Sequence, residues 1–489
     1  MSLRLRAKIL SVRSPTLFAI PLAVILGALS LLHALTKLEI MRTLPGLALI
    51  LLSIQFVRSA DLVITGATVY PSPKDPPISD AVIIVHAGKI AAIGSRASVH
   101  IPGGAQRLDY TGAYVTAGFW NSHVHIITPA SLNAKQASAA QLDTETDRMF
   151  NRWGFTSVFD IASILENTLA LRNRVNQGNV RGPRILTAGE PLWTVQPVYI
   201  QQFLLDHHLP MPVIRSPLEA QRQVASEIDR GADGTKLFTG SVQAGSVANM
   251  PIDIARAAVG EAHRHSVPVF AHPQNSAGVN IAIEAGVDIL AHTAPNAPDW
   301  ASVFVPRLIA AHMAVIPTLT LYDFEANKGH LSDTERETWI KTVVSQLVTF
   351  LSAGGEVLFG TDIGYTDHFD TLLEFELMSR AEMDYRAILA SLTTVPAQRF
   401  GFAKRNGRIE TGMDADLTVL DEDPAKEVTA FSRVRATIRN GVFIFSKHWA
   451  SRSAITTELA DAVCNSIPTQ EGGTPHQQPP VKNYPLNRR

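Results

Sequence analysis

The sequence predicts an α/β protein, a (β/α)8 TIM barrel carrying a small β-sandwich domain built from both ends of the chain. Three observations point there. Between residues 117 and 402, eight apolar strand-like runs alternate with segments of helical periodicity. Before them, residues 61–116 read as short period-two runs separated by Gly, Pro and Asp. After them, residues 403–449 return to the same alternation, so the two flanks are expected to complete one sheet domain. A chain of 489 residues has room for both parts and for a large core. Its 46% hydrophobic and 18% charged residues exclude a wholly disordered polymer.

Taken in order, residues 1–60 form an apolar leader. Leu17 to Leu35 is a 19-residue apolar run broken only by Pro21, Gly27, Ser30 and His33, and it follows Arg4, Arg6, Lys8 and Arg13. That length can span a bilayer with the basic end on the cytoplasmic side. A second run, Leu44 to Val57, is too short to span comfortably, but it follows Met41-Arg42 and exits through Ser59-Ala60, the three parts of a signal peptide. Two readings follow: a membrane anchor, or a start at Met41 preceded by an upstream extension of the reading frame. A buried core helix fits less well, because Pro21, Pro45 and the basic flanks suit a core poorly. Either of the first two places the catalytic part outside the cytoplasm, membrane-anchored, periplasmic or secreted.

The front sheet is read at Leu62 to Tyr70, Ala81 to Val85, Lys89 to Gly94 and Arg107 to Asp109, and the returning part at Asp416 to Leu420 and Ala436 to Ile444. The eight strands between are Tyr114 to Trp120, Thr156 to Asp160, Arg184 to Ala188, Gly234 to Phe238, Val267 to His272, Asp288 to His292, Ala314 to Pro317 and Val357 to Asp362. The last segment, 450–489, ends in the Pro- and Gln-rich stretch Thr474 to Pro485 and reads as a disordered tail. Lys+Arg 43 against Asp+Glu 44 leaves a net charge of -1, which argues against a nucleic-acid partner. The single cysteine, Cys464, rules out an internal disulfide and a thiolate zinc cluster, so any metal is held by His, carboxylate or a modified side chain.

In a barrel the reactive groups sit at the C-terminal ends of strands. The first strand runs into His123-Val124-His125, and residues two apart on an extended segment point the same way, so both imidazoles can reach one ion. Alone, such a pair is as readily two satisfied polar histidines. It is joined by His272 after the fifth strand, His292 after the sixth and Asp362 after the eighth. Other histidines, such as His263, His265 and His330, lie in helix-like or loop sequence and read as surface residues. Lys236 sits inside the apolar fourth strand, where a bare ammonium is costly; it must be paired, lose its proton or be modified. A neutral lysine amine reacts with carbon dioxide to a carbamate whose two oxygens can bridge two metal ions, and beside four histidines that is the preferred reading. A salt bridge inside the barrel is the alternative.

In this order the residues resemble the amidohydrolase superfamily, in particular its imidazolonepropionase-like and prolidase-like branch of metal-dependent hydrolases. The matching stretches are Gly118-Phe119-Trp120-Asn121-Ser122-His123-Val124-His125, Gly234-Thr235-Lys236, Phe270-Ala271-His272-Pro273, Leu290-Ala291-His292-Thr293, Gly360-Thr361-Asp362 and Gly412 to Asp421, spread from about Asp61 to about Ser446. Ala117 stands where such sequences often carry proline. The resemblance implies that His123, His125 and Asp362 hold one divalent metal ion, that His272 and His292 hold a second, and that carboxylated Lys236 bridges them. Zinc is the default ion for this ligand set. It further implies a metal-activated hydroxide attacking an amide carbonyl, with Asp362 as general base and then general acid. If Lys236 is unmodified, a one-metal version built on the His-x-His pair and Asp362 remains.

The implied substrates are small amides: Xaa-Pro dipeptides, N-acyl amino acids or cyclic amides. Ester, lactone or phosphotriester hydrolysis on the same centre is an alternative, and from another class a membrane-tethered binding protein on an inactive barrel. Loop residues Trp193, Thr318, Tyr365 and His368 are the substrate-binding candidates, with Glu190, Tyr199, Thr239, Ser241, Gln274 and Thr320 also placed to line a pocket. A homo-oligomer and a membrane contact through the leader are left open.

Overall fold

The computed structural model describes residues 62–448 apart from 104, 210 and 211. The leader and the tail discussed above lie outside the described residues. Among the described residues no helix is long and apolar enough to cross a membrane.

The front of the chain supplies strands β1 (Leu62–Thr65), β2 (Thr68–Tyr70), β3 (Ala81–His86), β4 (Lys89–Ser95), β5 (Gln106–Asp109) and β6 (Tyr114–Ala117), of which β1 and β3 are continuous apolar runs buried along almost their whole length. Four of them form a sheet in the order β4-β3-β1-β5, with Leu62 opposite Val85 in an antiparallel pair and opposite Gln106 in a parallel one.

The centre of the chain supplies parallel strands separated by helices. β7 (Phe119–Val124), β8 (Phe155–Asp160) and β9 (Arg184–Thr187) form one parallel sheet. Between and after them come helices α1 (Pro129–Leu132), α2 (Ala139–Met149), α3 (Leu165–Asn176), α4 (Val198–Asp206) and α5 (Pro217–Arg230). β10 (Thr235–Phe238) is followed by a hairpin absent from the sequence reading, β11 (Gly240–Gln243) and β12 (Ser246–Asn249). Then α6 (Ile252–Arg264), β13 (Val269–His272), α7 (Ser276–Ala285), β14 (Ile289–Ala291), α8 (Val305–Ala310) and β15 (Ala314–Ile316) alternate. The second parallel sheet runs β10-β13-β14-β15. Isolated parallel bridges join Leu192 to Leu237, Val315 to Val357 and Val124 to Ile363.

These strands are nearly continuous apolar runs because both of their faces are covered. Val158, Leu237, Val269, Leu290 and Val315 belong to one large core shared with helix residues. The alternate positions Trp120, Phe159, Phe270, Ile289 and Ile316 form a second, smaller cluster. Lys236 falls on that second face, one residue from Leu237. Helices α9 (Leu319–Lys328), α10 (Asp333–Ser352), α11 (Leu372–Arg380), α12 (Tyr385–Leu392) and α13 (Thr394–Arg399) follow. The chain then returns to strands β16 (Leu417–Leu420), β17 (Val434–Arg439) and β18 (Val442–Ser446). They extend a five-stranded sheet ordered β18-β17-β16-β6-β2. One core unites both ends of the chain: Ile64, Ile83 and Val115 pack with Leu417, Val419, Ala436 and Ile438.

Four expected elements come out differently, the first being Leu62 to Tyr70, which divides into β1 and β2 in two different sheets. The run Tyr114 to Trp120 is two strands in two sheets, divided at Gly118: β6 pairs with β16, while β7 pairs with β8. A Cβ at Gly118 would sit 2.2 Å from Thr156 Oγ1, so only glycine passes there. Ala436 to Ile444 is a hairpin turning at Asn440 and Gly441, both at positive φ, the Asn-Gly signature of a tight turn. Val357 to Asp362 is not a regular strand. It is tied instead by single hydrogen bonds, Leu358 N to Val315 O at 3.0 Å and Ser122 N to Phe359 O at 2.8 Å.

Candidate metal centre

At the end of β7 the side chains of His123 and His125 bring their Nε2 atoms to 3.3 Å from one another. Asp362 Oδ1 lies 3.1 Å from His123 Nε2 and 2.8 Å from His125 Nε2, and its Oδ2 lies 3.9 Å from His292 Nε2. The rings of His272 and His292 meet edge to face at 4.9 Å, and those of His123 and His292 at 4.7 Å. Donor atoms of His123, His292 and Asp362 all fall within 4.8 Å of each other. Lys236 lines the same cavity as all five. The six ligand candidates, drawn from β7, β10, β13, the end of β14 and the segment after Val357, are therefore brought together.

The backbone that presents them is specialised. His292 and Asp362 adopt positive φ, 77° and 60°, a conformation that non-glycine residues hold only when the surroundings enforce it. The close approach of Gly360 to β7 places Asp362: a Cβ there would meet Ile316 Cγ2 at 2.4 Å and His123 Cβ at 2.8 Å. Asn121 clamps this segment, its amide donating to Thr361 Oγ1 at 2.8 Å and accepting from Thr361 N at 3.2 Å. Three of the four second ring nitrogens are also engaged, that of His123 having no hydrogen-bond partner among the described residues. His125 Nδ1 lies 2.7 Å from the Ala162 carbonyl, His292 Nδ1 2.6 Å from Thr318 Oγ1, and His272 Nε2 2.9 Å from Gln274 Oε1.

Burial dominates the electrostatics. It pushes His123 down to about 3 and His272 to about 4, and holds His292 well below the usual imidazole range. It lowers the Lys236 amine to about 7, against the pull of Asp362. For Asp362 burial works upward, but the His123 and His125 partners outweigh it and keep the carboxylate ionised far below its ordinary range. His125 is raised, the hydrogen bond and charge of Asp362 overcoming burial. Neutral imidazoles at His123, His272 and His292, an ionised carboxylate and an amine near neutrality are the forms in which these groups donate lone pairs. Ring nitrogens of His123 and His125 facing each other at 3.3 Å, with Asp362 Oδ1 within 3.1 Å of both, fit a cation between them.

The centre forms one end of a cavity of about 470 Å³. Trp193 and Tyr365 line it, as do Tyr199 and Gln274. Thr318 does not: it is fully buried and bonded to His292, which makes it a positioning residue rather than a substrate contact. His368 is an exposed residue whose ring packs on Phe324 at 5.8 Å, outside the lining. Thr320 and Glu190 are likewise committed elsewhere, to Glu374 and to Leu165 N. Sequence reasoning passed over Glu374, a buried carboxyl on α11 pushed up to about 7 by burial, which accepts from Leu319 N and Thr320 N and braces the turn holding Thr318. Of the cavity-facing side of α4 it picked out Tyr199 and passed over Ile200, Phe203 and Leu204. None of these carries a local motif.

The family model of the amidohydrolase family matches residues 114–444. The chain belongs to the amidohydrolase family. The expectation of a hydrolase acting on carbon–nitrogen bonds agrees with that membership. Among relatives of this amidohydrolase, ochratoxinase of Aspergillus niger is 23% identical over 400 residues, 74% of this chain and 81% of that protein. A 42-residue stretch is 50% identical to amidohydrolase tasK of Hapsidospora irregularis, spanning 9% of this chain and 4% of that one. Among solved structures, a Xaa-Pro dipeptidase with bound methionine superposes with a TM-score of 0.68 at 21% identity, over 78% of this chain and 99% of that one. Aspergillus niger ochratoxinase gives 0.64 at 18%, over 79% and 96%, and molinate hydrolase 0.63 at 20%, over 79% and 95%. These likenesses establish a shared α/β fold.

Proposed function

We propose that this amidohydrolase cleaves an amide or peptide C–N bond of a small substrate such as an Xaa-Pro dipeptide, an N-acyl amino acid or a cyclic amide. The observation that carries the reading is the convergence of His123, His125 and His292 on Asp362 at one end of a cavity. His123, His125 and Asp362 would hold one divalent ion, and His272 and His292 a second, with Lys236 between them as a carbamate. Zinc suits the donor set. When bound, such ions supply a Lewis acid for the carbonyl and make water acidic enough to attack it near neutral pH.

The chain's own residues do the rest. Asp362 takes the proton of the attacking water and passes it to the leaving nitrogen. Thr318 and the Ala162 carbonyl fix the tautomer and orientation of His292 and His125. A Lys236 amine near neutrality is nucleophilic enough to take up carbon dioxide and release a proton. The family matches of an ochratoxinase and a dipeptidase support C–N chemistry over the ester alternative.

The architecture belongs to the same proposal. The three isolated bridges would join the two parallel sheets into a closed (β/α)8 barrel over residues 117–402. The sheets of 61–116 and 403–449, sharing one core, would be its β-sandwich partner. For residues 1–60 the anchor or signal-peptide reading rests on sequence alone, and membrane fractionation tests it. For the site, the test is metal analysis of the full chain prepared with zinc and bicarbonate, followed by a panel of Xaa-Pro dipeptides, N-acyl amino acids and esters. About two ions per chain with amide turnover is expected. A metal-free, inactive protein, or turnover of esters alone, would overturn the reading.

A further inference from the structure

Away from its metal end the cavity turns apolar. One wall is α4, whose Tyr199, Ile200, Phe203 and Leu204 form a single helical stripe facing inward. Trp193 and Phe238 support it, their rings edge to face at 5.5 Å, and these residues make a cluster of their own apart from the main core. The wall is not fully covered, for Val198 lines the cavity and is 40% exposed. α4 carries no basic residue and its one acid, Asp206, is its last residue and outside the lining. Tyr365 packs edge to face on Tyr199 at 5.4 Å and its hydroxyl donates to Glu325 at 2.6 Å, while Lys328 lies 3.4 Å from Glu325, so the charges beside the wall cancel.

We propose that the site selects substrates bearing a bulky apolar group on one side of the scissile C–N bond, seated against α4. The inference rests on the amide-hydrolase reading above. A charged group placed there would lose its water and find no charged partner along α4, whose lining side chains are apolar apart from the Tyr199 hydroxyl. An apolar group would cover the open face of Val198 and gain from each methylene buried. A volume of about 470 Å³ holds such a group together with the reacting amide.

The test is kcat/KM of the zinc-loaded full chain on two series: N-acyl glycines with a lengthening straight acyl chain, and N-acetyl amino acids from glycine through leucine to phenylalanine. In at least one series kcat/KM is expected to rise roughly fourfold per added methylene until the cavity is full. Phe203→Ser should then cut the ratio of longest to shortest substrate by about tenfold, and Ile200→Ala supplies the same ratio if that variant folds poorly. Turnover that is flat in both series overturns the inference and leaves the hydrolase reading standing. If neither series is hydrolysed, the hydrolase reading is decided by the wider panel above, and calorimetric binding of the N-acyl glycines decides the inference: affinity rising with length supports the apolar seat, and affinity independent of length overturns it.

Discussion

At the start of β9, Arg184 donates to Asp414 at 3.1 Å, to Asp416 at 3.0 Å and to Ser157 at 2.9 Å, and Lys89 and Arg405 complete Asp414. At the end of β7, the ring nitrogens of His123 and His125 face each other at 3.3 Å beside one carboxylate. Arg184, Asp414 and Asp416 are buried, as are His123, His292 and Asp362, and both clusters gather charge from distant parts of the chain. The first is closed, because every carboxylate meets a guanidinium or an ammonium. The second has a single carboxylate among four histidines, with burial keeping three of the imidazoles neutral. The contrast separates an ion network that ties two sheets to strand ends from a centre that calls for a cation.

Substitutions should break the two clusters in different currencies. Asp362→Asn is expected to lower kcat/KM by about 10²–10⁴-fold, the range for a lost acid–base group, with the far-ultraviolet dichroism of the folded protein unchanged. Arg184→Met should instead destabilise the chain by about 3–5 kcal/mol in a urea titration, because it takes the guanidinium from buried Asp416 and Asp414 and leaves Asp416 with the Asn440 amide at 2.8 Å as its hydrogen bond. If that variant also lost its metal, the division between the clusters would collapse. Thr318→Val should weaken metal binding about 10–100-fold, with kcat recovering at saturating metal, a split that a merely structural role would not produce.

A smaller effect reports on Lys236. In metal-free protein its folded pKa is lowered to about 7 from 10.5, so between these values the unfolded chain binds more protons than the folded one. Stability should therefore rise with pH across that window and be lost as pH falls through about 7. Lys236→Met should flatten the slope, read as urea midpoints on either side of neutrality. Least of all, His368→Ala should change kcat/KM by less than about twofold, since its ring packs on Phe324 outside the cavity. A larger change would bring the His368 segment into the site.

The candidate ligands were readable because each follows the same local pattern: an apolar run buried on both faces, then the residue that emerges at its end. His123, His125, His272, His292 and Asp362 each stand at such a point, and Lys236 betrays itself as a cation inside an apolar run. The alternating flanks likewise announced sheets at both ends of the chain, and β6 does pair with β16. Period and polarity are local properties, and local sequence carries them. The division at Gly118, the Thr318 bond to His292, the Glu374 brace 55 residues from the turn it holds and the apolar stripe of α4 are different in kind. Each depends on which distant surfaces meet, and a contact between distant surfaces exists only once packing has chosen among the many that composition alone would allow.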